Sequence, residues 1–167
     1  SLKDLREHEF VVESIIKQLH LQGLKPCRTS KPKLMRQGHL IHLHTPIIAS
    51  SEGNCPLRLV ASLHPTPAVA GLPLKKASNW LRVLEPFDRG RYASPIGWID
   101  MKNNADFRVA IRCAYNNGTN LELFAGAGLV KGSTIEAELH EVSLKLSILA
   151  NQLDLNQNNF LSRHEMI

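Results

Sequence analysis

The sequence predicts an α+β fold in which helices flank an antiparallel sheet. Stretches with apolar residues at helical spacing lie near both ends of the chain, and strand-like runs separated by turn residues lie between them. The resulting order of helix, strands, helix, hairpin strands and helix is typical of α+β domains. Residues 1–155 are predicted to form a portion of one domain, and residues 156–167 a polar C-terminal tail.

The first helix is predicted from Asp4 to about Leu21. Gly23 and Pro26 are expected to end it. Asp4 and Glu7 stand one turn apart near its start, where the helix dipole favours carboxylates. Its apolar stripe consists of Phe10, Val11, Ile15, Ile16 and Leu19.

Shorter elements follow. Extended segments are predicted at residues 34–35 and 38–44, whereas residues 57–63 suit either a buried strand or a helical turn. Residues 64–73 contain three prolines and one glycine, which predicts a rigid, shaped loop. A helix is expected at residues 75–84.

The second half of the chain predicts an antiparallel meander and a closing helix, because asparagine-rich turns separate apolar runs rich in β-formers. The apolar face of the helix contains leucines at helical spacing. The predicted elements are strands at residues 96–101, 107–115 and 121–130, turns at residues 103–104 and 116–118, and a helix at residues 134–153.

Composition narrows the function classes. The net charge of +5 could attract an anionic partner, but Lys and Arg are scattered, so a nucleic-acid partner is disfavoured and a small anionic substrate fits better. The three cysteines are an odd number without a CxxC pair, which indicates reduced thiols. No apolar run approaches the length of a membrane span, so we expect no membrane partner and a cytoplasmic location, or the plastid stroma in a photosynthetic eukaryote.

The closing helix carries a polar row formed by Glu138, Glu141 and Lys145. One interpretation is a solvated face with an i,i+4 ion pair. The alternative is an anion site, because the preceding segment contains Gly126 and Gly128, whose small size lets backbone N–H groups approach an anion closely.

Two further residues extend this hypothesis. Glu7 adds a carboxylate from a separate helix, and two such carboxylates with waters suit Mg²⁺; alternatively, Glu7 only complements the helix dipole. Arg112 lies in an apolar strand-like run, where its planar fork could hold a carboxylate or, alternatively, could point to solvent.

Histidines offer one candidate. His39, His42 and His44 with Cys55 suggest zinc, but their spacing matches no familiar tetrahedral set, so structural or exposed roles are favoured. His64 differs, because it opens the proline-fixed loop, where a side chain can be held rigidly for a ligand.

Four segments together resemble the chorismate-binding enzymes. They are K-D-x-x-E-H at residues 3–8, H-P-T-P-A-V-x-G at residues 64–71, a segment ending in Y-A-x-P-I-G-W at residues 85–98, and A-G-A-G-L-V followed by E-x-x-E-x-x-x-K at residues 125–145. The resemblance implies the C-terminal part of the anthranilate synthase component I-like fold. The P-A-V sequence of the loop is similar to isochorismate synthases, with salicylate or anthranilate synthases as the alternative.

The resemblance also implies residue roles. Glu7 and Glu141 would ligate Mg²⁺, and Glu138 would position metal-bound water. Tyr92 and Arg112 would bind the pyruvyl carboxylate of chorismate, and His64 would lie near its ring. Gly126, Gly128 and Lys145 would help to neutralise its carboxylates.

The implied reaction is an isomerisation of chorismate to isochorismate, for quinone, siderophore or salicylate biosynthesis. The family's general base (a lysine) and general acid (a glutamate in a G-A-S-P-E-like motif) belong to an upstream part of the domain, and neither motif occurs here. We therefore expect the full-length enzyme to be active and this chain alone to be inactive or nearly so, with exposed core that favours self-association. A stand-alone chorismate-binding module without catalysis is the remaining alternative.

Overall fold

The computed structural model describes residues 2–37, 40–51 and 53–155 and begins with a 20-residue helix, α1 (Leu2–Leu21). The predicted helix end is confirmed. Gly23 adopts a φ of 78°, which a residue with a Cβ rarely tolerates. Its N–H donates to the His20 carbonyl (2.9 Å), and the Leu24 N–H donates to the Leu19 carbonyl (3.0 Å). This paired pattern satisfies carbonyls that the helix end leaves open.

The chain divides into two compact units, Ser1–Ala110 and Ile111–Ile167, and each is described by itself. The domain boundary expected at residue 155 stays a prediction. The tail at residues 156–167 lies outside the described residues, as do Gly38 and His39 of the predicted extended segment.

The first unit combines α1 with antiparallel strand pairs and three further helices. Residues 57–63 are helical rather than a strand, and a single turn of helix lies inside the predicted rigid loop. The strands are β1 (Cys27–Arg28) with β4 (Ile47–Ile48), β2 (Lys33–Gln37) with β3 (Leu40–His44), and β5 (Pro95–Ile99) with β6 (Ala105–Val109). The helices are α2 (Pro56–Leu63), α3 (Pro67–Ala70) and α4 (Leu74–Leu84).

The second unit contains a hairpin and the closing helix. Strand β7 (Cys113–Asn116) pairs antiparallel with β8 (Leu121–Phe124). Helix α5 (Ile135–Gln152) begins after Thr134, whose hydroxyl accepts a hydrogen bond from the Ala137 N–H at 3.3 Å. Helices and antiparallel strand pairs together confirm the predicted α+β class.

The predicted meander is wrong in one respect. The strand expected at residues 107–115 is interrupted after Val109 and resumes at Cys113. Arg112 lies in this break with a φ of +50°, a left-handed conformation that ends a strand ladder. Two separate hairpins therefore replace a continuous sheet. The strand expected at residues 121–130 also ends early, at Phe124.

Large apolar side chains are widely exposed, as the sequence led us to expect. Phe10 is 51% exposed, and Trp80 and Trp98 are each 56% exposed. Among the described residues, no helix is both long enough and apolar enough to cross a membrane. The described apolar residues that are buried are Val12, Leu19, Leu24, Ala70, Ala93, Leu149 and Ala150.

Gly97 of the P-I-G-W motif has a steric role in the β5–β6 hairpin. A Cβ at this position would overlap the Asp106 carbonyl oxygen and lie 2.7 Å from the Phe107 Cα. We expect Gly97→Ala to lower the free energy of unfolding by about 3 kcal/mol, because the partner backbone has to move. Urea denaturation measures this loss. Ile96→Ala, on the same strand but 54% exposed, should lose less, and equal losses would contradict the steric explanation.

Candidate functional site

Glu7 lies in the second turn of α1, in the first unit. Its side chain is 31% exposed, and its Oε1 is 3.6 Å from Lys3 Nζ. That oxygen is itself buried from solvent. The carboxylate is therefore partly desolvated, which strengthens its interaction with any cation that approaches it.

His64 lies where α2 ends, and its N–H donates to the Val60 carbonyl at 2.9 Å. Its side chain helps to line a cleft of about 300 Å³ between α1 and the proline loop. Phe10 and Ser14 form part of the α1 wall, and Pro65 is among the loop residues that line the cleft. Burial lowers the pKa of His64 below its ordinary value of 6.5, which favours the neutral imidazole.

Tyr92 lies in the turn before β5. Its N–H donates to the Arg89 carbonyl at 2.7 Å, and its ring lies 5.7 Å from the Arg89 guanidinium carbon. The next residue, Ala93, is buried with a φ of +64° and donates its N–H to the Ala110 carbonyl at 2.8 Å. The end of β6 thus fixes the backbone that carries Tyr92.

Arg112 lies in the second unit, in the short break before β7. The expectation of an arginine inside a strand is therefore wrong, because its backbone is left-handed. Such a conformation costs a residue with a Cβ roughly 1–2 kcal/mol. Strained residues of this kind are found more often than chance at binding and active sites.

Lys145 connects the closing helix to the glycine segment. Its Nζ donates to Glu141 Oε1 at 2.5 Å and to the Gly126 carbonyl at 2.8 Å. The Lys145 side chain is 19% exposed and that of Glu141 is 48% exposed. The structure thus brings together three of the residues predicted for the site, and it leaves the Glu141 carboxylate accessible to a ligand. Gly128 lies two residues further along the same irregular segment.

Glu138 is buried, with only 7% exposure. Its Oε2 is shielded from solvent. The interpretation of the polar row on α5 as a solvated face is therefore wrong for this residue, although it fits the half-exposed Glu141. A buried carboxylate requires a compensating interaction, since desolvation of a charge is expensive.

Carboxylate oxygens are the ligands that Mg²⁺ prefers, and Mg²⁺ commonly binds one or two carboxylates together with water and substrate oxygens. Glu7 offers such oxygens in the first unit, and Glu138 and Glu141 offer them in the second. Among residues 2–37, 40–51 and 53–155, no group of three or more His, Cys, Asp or Glu is arranged to hold a metal ion. This holds for His42, His44 and Cys55, whereas His39 lies outside the described residues.

Sequence reasoning missed two polar contacts of the first unit. Arg89 forms a bidentate ion pair with Glu85, through hydrogen bonds of 2.6 Å from Nε and Nη2. His8 Nε2 is hydrogen-bonded to Thr45 Oγ1 at 2.7 Å. No local pattern indicates either contact, because residues 85–89 lie beyond the end of α4, where the helical i,i+4 rule does not apply, and 37 residues separate His8 from Thr45.

The lowered pKa of His64 has a consequence for stability. Below pH 6.5 the unfolded chain binds a proton at this residue before the folded chain does. Stability should therefore be full above pH 6.5 and should decline as the pH falls through the lower folded pKa. We expect His64→Gln to flatten this decline in urea denaturation between about pH 5 and 8. His140→Gln, at an exposed position of α5, should leave it unchanged, and an equal flattening would count against the assignment.

Comparison with known proteins identifies relatives over nearly the whole chain. The chain is 42% identical over 154 residues to the salicylate biosynthesis isochorismate synthase of Pseudomonas aeruginosa, covering 92% of this chain and 32% of that protein. It is 38% identical over 156 residues to the isochorismate synthase MenF of Bacillus subtilis, covering 90% of this chain and 32% of that protein. The chain thus spans about a third of the length of these relatives.

A solved structure matches the fold as well. It is a Bacillus anthracis protein described as a 2,3-dihydroxybenzoate-specific isochorismate synthase, DhbC, with a TM-score of 0.87 and 36% identity. The match covers 93% of this chain and 42% of that chain. The expected α+β fold of this family is therefore confirmed. The family model described as chorismate binding enzyme matches residues 1–154, and the chain belongs to this family.

Proposed function

We propose that the chain is the C-terminal, Mg²⁺- and carboxylate-binding portion of an isochorismate synthase that converts chorismate to isochorismate. The observation that carries the proposal is the similarity to isochorismate synthases at about 40% identity, with all four motifs in family order. The contact of Lys145 with Glu141 and Gly126 supports it, because it joins two of these motif residues to the glycine segment.

Each proposed role follows from the charge of the substrate. Chorismate carries two carboxylates, so its site needs cationic or N–H donors at two places. Arg112 and Tyr92 take the pyruvyl carboxylate, whereas Lys145 and the backbone N–H groups of Gly126 and Gly128 help to neutralise the substrate's carboxylates. His64 lies beside the ring, and its lowered pKa keeps the imidazole neutral there.

In this proposal, Glu7 and Glu141 would hold Mg²⁺, and Glu138 would position metal-bound water. When bound, the ion would supply positive charge that helps to hold the substrate's carboxylate. Glu7 Oε1 and Glu138 Oε2 are shielded from solvent, which strengthens the attraction of these carboxylates for a cation and supports this role.

The reaction adds water at C2 of chorismate and releases the C4 hydroxyl as water. A general base must activate the entering water and a general acid must protonate the leaving group. The family's lysine and G-A-S-P-E glutamate for these steps have no counterpart in the chain. We infer that they lie in the part of the relatives that the chain does not match, and that the chain alone binds chorismate without turning it over. We place the enzyme in the cytoplasm.

The product formed by the full-length enzyme tests the proposal. Incubation with chorismate and Mg²⁺, followed by chromatographic separation, should yield isochorismate. Salicylate or anthranilate as the main product would assign the chain to another branch of the family. Turnover by the 167-residue chain at the rate of the full-length enzyme would contradict the missing acid–base pair, and a gene encoding only this chain would favour a stand-alone binding module.

The exposed apolar surface should make the isolated chain associate. Side chains such as Phe10, Trp80 and Trp98 are more than half exposed, and large exposed apolar surface favours association. We expect strong binding of a hydrophobic dye and a mass above 18.6 kDa in light scattering at micromolar concentration. A clean monomer with weak dye binding would show that the chain is a self-contained domain.

A further inference from the structure

Arg89 is the centre of a polar network that the proposed roles leave unused. Its Nε and Nη2 bind the two carboxylate oxygens of Glu85, each at 2.6 Å. Its Nη1 donates to the Val69 carbonyl, also at 2.6 Å. Its guanidinium lies 5.7 Å from the centroid of the Tyr92 ring, within the range of a cation–π contact. One side chain therefore contacts three separate segments.

Each of these segments leads to a proposed substrate contact or anchors one. Val69 belongs to α3, inside the loop that His64 opens. Glu85 ends α4, where its N–H donates to the Leu81 carbonyl at 3.0 Å. Tyr92 follows Arg89 by three residues, and its N–H donates to the Arg89 carbonyl. The guanidinium thus lies where the loop, the end of α4 and the Tyr92 turn meet.

The geometry suits arginine and not lysine. The planar fork donates to the carboxylate from one edge and to the Val69 carbonyl from its remaining nitrogen, whereas an ammonium group is a point charge without this directionality. The side chains of Arg89 and Glu85 are 28% and 22% exposed, so the contact is less screened than a surface ion pair. The hydrogen bonds that Arg89 donates to the Glu85 carboxylate raise the pKa of Arg89, which keeps it charged.

We propose that Arg89 is a positioning residue: it fixes the loop at residues 64–71 and the Tyr92 ring relative to one another, so that His64 and Tyr92 meet the same substrate molecule. This inference rests on the proposed function for the identity of the substrate. The network itself can be tested without it.

The test uses the 167-residue chain and two readouts, amide hydrogen exchange of peptides covering residues 64–71 and binding of chorismate by calorimetry. Arg89→Met should speed exchange in these peptides and weaken chorismate binding roughly tenfold, as expected for loss of hydrogen bonds to a charged group. Exchange in α1 and α5 should stay unchanged. Arg89→Lys should speed exchange and weaken binding in the same direction. It tests the positioning role if Arg89→Met does not fold.

A charge exchange separates the ion pair from the carbonyl contact. Glu85→Arg combined with Arg89→Glu restores an ion pair and should recover the thermal midpoint, but a carboxylate at position 89 cannot donate to Val69, so fast loop exchange and weak binding should persist. Arg108→Gln is the matched control, because Arg108 forms an exposed pair with Asp106 in the same unit. It should change neither readout.

Recovery of loop protection and affinity by the charge exchange would overturn the positioning role, as would unchanged exchange in both Arg89→Met and Arg89→Lys. If the unaltered chain bound no chorismate, the proposed function would fail, whereas the exchange data would still decide whether Arg89 fixes the loop.

Discussion

Glu141→Gln is expected to abolish the response of chorismate turnover to Mg²⁺ in the full-length enzyme and to lower kcat/KM by on the order of 100- to 1000-fold, since a metal supplies several kcal/mol to such sites. Glutamine keeps the size of the side chain but replaces the charged oxygen ligand by a neutral amide, which Mg²⁺ binds more weakly. The Glu141 side chain is 48% exposed, so the substitution should leave the fold of the helix intact, and we expect the loss to reflect the proposed role as a metal ligand. Initial rates over a Mg²⁺ titration measure it.

The same substitution removes an ion pair, and this second effect has to be separated from the first. Glu141 accepts a hydrogen bond from Lys145, which also donates one to the Gly126 carbonyl. Lys145→Met removes that pair but keeps the carboxylate, so it should lower activity while Mg²⁺ activation remains. If both variants kept their Mg²⁺ activation, Glu141 would act only through Lys145.

Glu136→Gln is the matched control for this experiment. Glu136 lies in the first turn of α5 and is exposed. The substitution removes one carboxylate from the same helix without touching Lys145 or the glycine segment. It should leave both kcat/KM and the Mg²⁺ response within about twofold of the starting enzyme, as surface substitutions usually do. If Glu136→Gln lowered kcat/KM and the Mg²⁺ response as much as Glu141→Gln, the cause would be the overall charge of the helix and not the loss of a metal ligand.

The helices could be predicted from the sequence because their signals are local. Apolar residues at helical spacing and an ending Gly23 define α1, and Thr134 begins α5 as a side-chain cap. Residues 57–63 remained ambiguous between strand and helix, since a short apolar run carries no decisive period. Pro56 at the first helical position was the available signal, because its fixed φ suits a helix start.

The break at Arg112 could not be predicted in the same way. Residues 107–115 are rich in apolar and β-branched types, and a left-handed arginine has no sequence signature, since Asn, Asp and Gly are the residues that commonly adopt this conformation. The contacts of the site likewise differ in whether local sequence predicts them. Glu141 and Lys145 are four residues apart on a helix and were predictable, whereas the burial of Glu138 depends on tertiary structure.

Arg112→Ala is expected to raise the KM for chorismate in the full-length enzyme by roughly 30-fold or more, because truncating one partner of a hydrogen-bonded charge pair costs about 2–5 kcal/mol. The loss should appear in KM more than in kcat, since in the proposed role Arg112 would bind the pyruvyl carboxylate in both the ground state and the transition state. Arg112→Lys should recover only part of the affinity, because lysine keeps the charge but not the planar fork. An unchanged KM would remove Arg112 from the site.

The backbone of Arg112 allows a sharper test of its role. At a φ of +50°, an arginine is strained by roughly 1–2 kcal/mol, and glycine would relieve that strain. Arg112→Gly should therefore leave the free energy of unfolding unchanged or higher, within about 1 kcal/mol after the entropy of glycine in the unfolded chain is included. Chorismate affinity should fall as far as in Arg112→Ala. If Arg112 contributed only to folding, Arg112→Gly would lower the free energy of unfolding and keep chorismate affinity. The two measurements together therefore distinguish a role in binding from a role in folding.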